Sequence, residues 1–254
     1  MRLSSRAQAV AESGTLRLFS ETARLRSSGV DVVSLLEGEP DWPVPAAALA
    51  ATQAALSGGQ TRYGPGAGLP ELRAAALEGL RREGLAAEDV LVTNGAKQAL
   101  YEALCALAGP GDEVVVPSPC WTTYPEAVRL AGAEPVLVPM EGDDLDVPAL
   151  ERAVTPRTRV LLLNTPNNPT GAVYSRAALE AAAALAETRD LVILSDEAYE
   201  RFVYDGGTHT APAALGPRAA ARTATVRTCS KSYSMTGFRV GFLAGPRTLV
   251  RAAA

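Results

Sequence analysis

From about Asp89 to the end of the chain, short β-branched or apolar runs alternate with longer stretches rich in Ala, Leu and Glu. The runs Val90–Thr93, Glu113–Val116, Pro135–Val138, Val160–Leu163, Leu191–Leu194, Ala224–Arg227 and Val240–Leu243 read as strands. They are short, bounded by turn formers, and mostly continuous in apolar character, as strands buried on both faces are. Between them Lys97–Ala108, Pro125–Leu130, Val147–Val154 and Ser175–Thr188 carry good helix formers. This alternation predicts an α/β fold, with a mainly parallel seven-stranded sheet and helices on both faces. Such sheets bind ligands at the carboxyl ends of their strands, so chemistry is sought just after each run.

Upstream of Asp89 the pattern changes. The spacing predicts a helical arm to about Gly29, a short strand in VDVVSLLEG, a Pro-rich turn in EPDWPVP, and a helix over Ala46–Leu56. A Gly/Pro-rich loop, SGGQTRYGPGAGLP, then leads into a helix over Glu71–Glu83. The first residues are rich in Arg and Ser, as transit peptides are. They also carry Glu12 and Glu21 and lack an apolar core, which favours an arm of the mature protein.

Composition narrows the function classes. Hydrophobic residues make up 47%, enough for a sizeable core, and the net charge is −4 without any basic block, which argues against a nucleic-acid partner. No apolar run approaches the roughly 18 residues of a membrane helix. Cys105, Cys120 and Cys229 show no paired spacing, which fits a reduced, cytoplasmic protein without a disulfide framework or metal site. The sole histidine, His209, lies in the loop-like GGTHTAP, a poor basis for histidine-dependent catalysis.

Five segments after strands hold unusual residues. In VLVTNGAKQAL, Gly95, Ala96 and Lys97 open a helix whose free N–H groups suit an anion, although an ordinary tight turn has the same look. In SPCWTTYPE, Trp121 can cover a flat ligand or fill a core. LLLNTPNNPTG is a natural turn former, with Asn168 where a strand end aims an amide into a site. In VILSDEAYERF, Asp196 follows a buried run, where a carboxylate is costly unless paired or used as a helix cap. Tyr199 follows three residues on. In VRTCSKSYSMTGFRVG, Lys231 sits among small polar residues after a strand, with Arg239 eight residues later. Partial burial lowers an amine's pKa and makes it a nucleophile towards aldehydes. Together these residues describe a site for a flat, anionic, carbonyl-bearing ligand. Pyridoxal 5'-phosphate fits, since a lysine Schiff base with an acidic partner for the ring nitrogen is its binding signature.

The chain resembles class I/II aminotransferases of the fold-type-I pyridoxal-phosphate superfamily, most of all the bacterial aspartate/prephenate branch. The resemblance rests on SLLEGEPDW, RYGPGAGLPELR, VTNGAKQAL, PCWTTYPE, NTPNNPTGAVY, SDEAYE and SKSYSMTGFRVG, all in family order. It implies an N-terminal arm and small-domain segment over 1–45 and a cofactor-binding large domain over 46–254. It implies that Lys231 forms the internal aldimine and shuttles the proton, and that Asp196 keeps the ring nitrogen protonated. Tyr199 and Asn168 would bond the ring hydroxyl and Trp121 would stack on the ring. Gly95, Ala96 and Lys97 (through backbone N–H groups), Arg239, Ser230 and Thr228 would hold the phosphate. Tyr63 would reach the phosphate of a neighbouring subunit in a homodimer, and Gly38, with Trp121 and Asn168, would meet the substrate. The implied reaction is ping-pong amino transfer between an aspartate-like or aromatic amino acid and a 2-oxo acid. Thr228 stands where the family usually has Ser, and Cys120 where relatives often have an aromatic residue. The family continues for more than a hundred residues past LVRAAA, through a region that carries the arginine for the substrate carboxylate. A non-catalytic cofactor-binding fragment therefore stays open. So does a β-lyase or synthase, which would use the same cofactor residues, although Trp121 in PCWTTYPE favours amino transfer.

Overall fold

The structure, a computed structural model, describes residues 4, 7–8, 14–36 and 38–254. The upstream segment contains α1 (Gly14–Ser27), α2 (Ala46–Ser57) and α3 (Pro70–Arg82). The α/β layer follows as β1 (Asp89–Thr93), α4 (Ala96–Leu107), β2 (Glu113–Ser118), α5 (Thr123–Ala131), β3 (Glu134–Pro139), α6 (Val147–Ala153), β4 (Thr158–Asn164), α7 (Arg176–Thr188) and β5 (Val192–Asp196). It continues through α8 (Pro217–Ala220), β6 (Thr223–Thr228), α9 (Cys229–Ser232), β7 (Gly241–Gly245) and α10 (Arg247–Ala253).

The seven strands form one sheet in the order β1-β7-β6-β5-β4-β2-β3. Pairs β2·β3, β2·β4, β4·β5 and β5·β6 are parallel, and β7 runs antiparallel to both β1 and β6. The expected mainly parallel sheet is therefore present, with one reversed strand near its edge.

Successive strand residues point to opposite faces, and each face has its own core. Val114, Val116, Leu162, Leu194, Val226 and Leu243 pack with Leu100 and Leu104 of α4, Val128 of α5 and Val250 of α10. Val115, Leu161, Leu163 and Ile193 pack on the other face with Leu150 of α6 and Leu179, Ala182 and Ala186 of α7. Burying each Leu or Val side chain contributes about 1.5–3 kcal/mol. Local signals set the ends of these helices. Asp146 accepts from the Ala149 N–H at 2.8 Å, Ser175 accepts from the Ala178 N–H at 3.1 Å, and Gly132 ends α5 with φ 97°.

The expected strand in VDVVSLLEG is not one. Among the described residues, positions 30–36 and 38 pair with no ladder. The alternation that suggested a strand survives as alternating exposure: Val33 and Leu35 are largely exposed, while Val32, Ser34 and Leu36 are half-buried. An alternating pattern makes an extended segment, but a strand also needs a neighbour with free backbone groups. Helix α2 likewise buries none of its residues and leaves Leu49 and Leu56 exposed.

Candidate active site

The carboxyl ends of β4, β5 and β6 and the turn from β1 into α4 bring the singled-out residues together. Asp196 ends β5, register-paired with Asn164 at the end of β4. Asn164 donates from Nδ2 to the Asp196 backbone carbonyl at 2.9 Å and accepts at Oδ1 from the Asn168 N–H at 2.7 Å, so the NTPNNP turn is tied to the strand that carries Asp196. The Asp196 carboxylate is buried. It accepts from the Tyr124 hydroxyl at 2.8 Å and from the Ala198 N–H at 3.1 Å, and no ion pair reaches it among the described residues. No helix follows directly, so the carboxylate is not a helix cap. Burial raises its pKa to about 6 against these hydrogen bonds. Tyr124, a residue passed over in the sequence, is fully buried behind Trp121, and its pKa is pushed well up, first by desolvation and then by Asp196. Its signal was available in PCWTTYPE, but it looks like an ordinary core aromatic until its hydroxyl is placed.

Lys231 lies in the single turn of α9, just past β6. Its Nζ donates to the Gly38 carbonyl at 2.7 Å and sits 5.8 Å from the centre of the Tyr199 ring. Burial lowers its pKa, with Glu39 opposing and Arg239 adding to the effect. The Tyr199 hydroxyl accepts from Asn168 Nδ2 at 3.4 Å, and its pKa is raised by desolvation and by Asp196. Gly38 is therefore within reach of the amine although 193 positions separate them.

The turn from β1 into α4 is shaped by close backbone approach. Gly95 caps α4 with φ 78°, and a Cβ there would come 2.9 Å from Arg239 Cζ. A Cβ on Gly241 would come 2.6 Å from the Ala96 nitrogen. Both positions need glycine so that Arg239 and β7 can close on the start of α4. Arg239 itself holds a left-handed φ of 56°, rare for a residue with a Cβ, and donates to the Thr236 carbonyl at 2.9 Å and Ser230 Oγ at 3.4 Å. Thr228 donates to Ser230 Oγ at 3.0 Å and accepts from the Ser230 N–H at 3.1 Å. Helix start, guanidinium and hydroxyls thus converge, an arrangement with the donors to hold an oxyanion. The Lys97 side chain lies apart from this cradle, with Nζ 5.1 Å from the centre of the Trp121 ring, and Trp121 meets Tyr124 edge-on at 5.5 Å.

Tyr63 is fully exposed and joins none of these groups within the chain. His209 lies in a loop, as expected. It is largely buried, with Nε2 3.4 Å from Glu197. Among the described residues no cluster of His, Cys, Asp and Glu could hold a metal. The three cysteines, Cys105, Cys120 and Cys229, are free.

A pyridoxal-phosphate-sized group suits these residues on two counts. The glycine-lined cradle matches a phosphate, and a buried carboxylate without a cation matches a protonated ring nitrogen.

The model of the class I and II aminotransferases matches residues 30–254, and the chain belongs to this family of pyridoxal-phosphate-dependent enzymes. Within the family it is 45% identical over 258 residues to the aspartate/prephenate aminotransferase of Thermus thermophilus, covering 99% of this chain and 66% of that protein. It is also 45% identical over 260 residues to the aspartate aminotransferase of Streptomyces avermitilis, covering 99% of this chain and 64% of the relative. The solved Thermus thermophilus aspartate aminotransferase with maleate superposes with a TM-score of 0.95 at 44% identity, over 100% of this chain and 67% of that one. The chain thus spans about two thirds of the length of these relatives.

Proposed function

We propose that this chain binds pyridoxal 5'-phosphate on Lys231 and forms the cofactor-holding part of an aminotransferase. Its substrates would be an aspartate-like or aromatic amino acid and a 2-oxo acid, taken in turn by a ping-pong mechanism. The observation that carries the reading is the convergence of Lys231, the buried Asp196 and the Gly95–Arg239 cradle at one end of the sheet. The names of the relatives support the substrate class.

The cofactor supplies an aldehyde carbon for the amine and a ring that takes up the electron pair released at the substrate α-carbon. The protein's own groups do the rest. Arg239, Ser230, Thr228 and the N–H groups of Gly95, Ala96 and Lys97 hold the phosphate. Asp196 keeps a proton on the ring nitrogen, and Tyr124 holds that carboxylate in place. Tyr199 and Asn168 donate to the ring hydroxyl, and Trp121 covers the ring face. Lys231, with its lowered pKa, carries the free amine as nucleophile and then moves the α-proton at Nζ. Gly38, bonded to Nζ through its carbonyl, would meet the substrate carboxylate.

A homodimer with shared sites is the assembly expected, with exposed Tyr63 crossing to the neighbour's phosphate. The cytoplasm is the proposed compartment. Three free cysteines fit it, and no described helix is long and apolar enough to cross a membrane.

The decisive test is reconstitution with pyridoxal phosphate followed by borohydride reduction. The reduced cofactor is expected on the peptide containing Lys231, and label on any other lysine overturns the assignment. Amino transfer is read in a coupled assay of aspartate with 2-oxoglutarate, on this chain and on a full-length relative. Mixing inactive Lys231→Ala and Tyr63→Ala protomers tests sharing: some activity should return in hybrids, and none at all rejects it.

A further inference from the structure

Behind the site lies a buried ionic cluster that none of the roles above uses. Arg227, on β6, is 8% exposed. It donates from Nε to Glu197 Oε2 at 2.9 Å, pairs with the same carboxylate through Nη2 at 2.7 Å, and donates from Nη1 to Glu83 Oε2 at 3.0 Å. Its Nη1 also lies 3.6 Å from Glu200 Oε1. Glu197 is fully buried, bonded besides to Ser195 Oγ at 2.9 Å and His209 Nε2 at 3.4 Å. Glu200 accepts from Ser232 Oγ at 2.7 Å, and Arg201 pairs with Glu83 at 2.5 Å.

The anchors have a telling order. Glu197 follows Asp196, Glu200 follows Tyr199, and Ser232 follows Lys231. Asp196, Tyr199 and Lys231 are thus each chain-adjacent to a group held in this cluster, and Arg227 is the cation at its centre. Burial opposes the charge on Glu197, yet Arg227 and His209 outweigh it and hold that pKa below the ordinary carboxylate range. Glu197 and Glu200 both act on Asp196 in the opposite sense, disfavouring its charge.

We propose that Arg227 is a positioning residue for the site: it clamps the segment that runs from Asp196 to Glu200 and offsets the two carboxylates that flank Asp196. Without it, buried negative charge would stand uncompensated behind a carboxylate that must itself stay ionised. The groups facing this volume are Glu83, Glu197, Glu200, His209, Arg201, Asp196 and the Cys229 thiol, while Glu39 and Arg239 face Lys231 from the open side.

The inference rests on Lys231 being the cofactor lysine, and the experiment separates the two. The pH midpoint of the visible absorption of lysine-bound pyridoxal phosphate is measured in folded, reconstituted protein. A change in fold stability alone would not move it. Arg227→Met removes a positive charge and should raise the midpoint by about half a unit, the order expected for one charge acting across a partly buried site. Glu197→Gln should lower it, the double variant should return near the parent, and Arg227→Lys should hold the parent's value. If Arg227→Met does not fold, Glu197→Gln decides alone. An unchanged midpoint in the folded single variants overturns the proposal. If the parent shows no such absorption, the cofactor reading fails instead. The same opposite shifts are then sought in the pH dependence of Lys231 trinitrophenylation, followed by peptide mass spectrometry, and their absence there rejects the role of Arg227.

Discussion

The two ends of the sheet each bury a carboxylate and treat it differently. At the amino end, Glu113 opens β2 and is 3% exposed. It pairs with Arg157 and accepts from Thr155 Oγ1 at 2.5 Å and Thr158 Oγ1 at 3.3 Å. At the carboxyl end Asp196 is equally buried but among the described residues meets only a tyrosine hydroxyl and a backbone N–H, and its pKa rises to about 6. A buried charge with a full set of partners is architecture. One left without a cation costs stability, and the fold retains it where a ligand completes the pairing.

Four variants test that contrast, in order of expected effect. Lys231→Ala should abolish the visible cofactor adduct altogether while leaving the fold intact, since among the described residues its amine makes one hydrogen bond, to the Gly38 carbonyl. An adduct that survives, seen in the absorption spectrum, would move the site elsewhere.

Asp196→Asn should stabilise the cofactor-free protein by on the order of 2–3 kcal/mol near pH 7. The sign follows from its raised pKa. The folded chain binds this proton more tightly than the unfolded one, so Asp196 favours folding below about pH 4 and that contribution fades as pH climbs through about 6. Urea melts at pH 4 and pH 7 check it: the gain should be present at pH 7 and nearly gone at pH 4. The same variant should slow amino transfer far more than it weakens cofactor binding.

Glu113→Gln should show the reverse, a loss of about 1–2 kcal/mol, because Arg157 and two hydroxyls lose their acceptor charge. Arg157 is largely exposed, which keeps the loss small. Cofactor affinity, measured by titration, should not change. Tyr124→Phe has the smallest effect on stability, about 1 kcal/mol. It should also raise the Asp196 pKa further, because the hydrogen bond it removes favours the charged form. Carboxyl-carbon NMR of Asp196 reads this directly, and an unchanged midpoint would mean that Tyr124 only fills space.

Much of this was legible in the chain alone. Strand runs and Ala/Leu-rich stretches set the α/β layer, because apolar period and helix propensity are local properties. Lys231, Asp196 and Gly95 stood out because each sits at or just past the end of a strand, and Arg239 because it follows Lys231 by eight residues; the sheet's own geometry collects strand ends at one edge. Local pattern did not decide pairing. VDVVSLLEG has the alternation of a strand but, among its described residues, no ladder, since a partner's free N–H and C=O groups are not written in the segment itself. Nor could it decide which side chains meet. Tyr124 reads as a core aromatic and reaches Asp196 across 72 positions. Gly38 meets Lys231 across 193, and Arg227 meets Glu83 across 144. Residue types at strand ends announced that charged chemistry would gather there. Which carboxylate is neutralised and which is left without a cation depends on burial and on partners a few ångströms away, and only the folded chain brings those together.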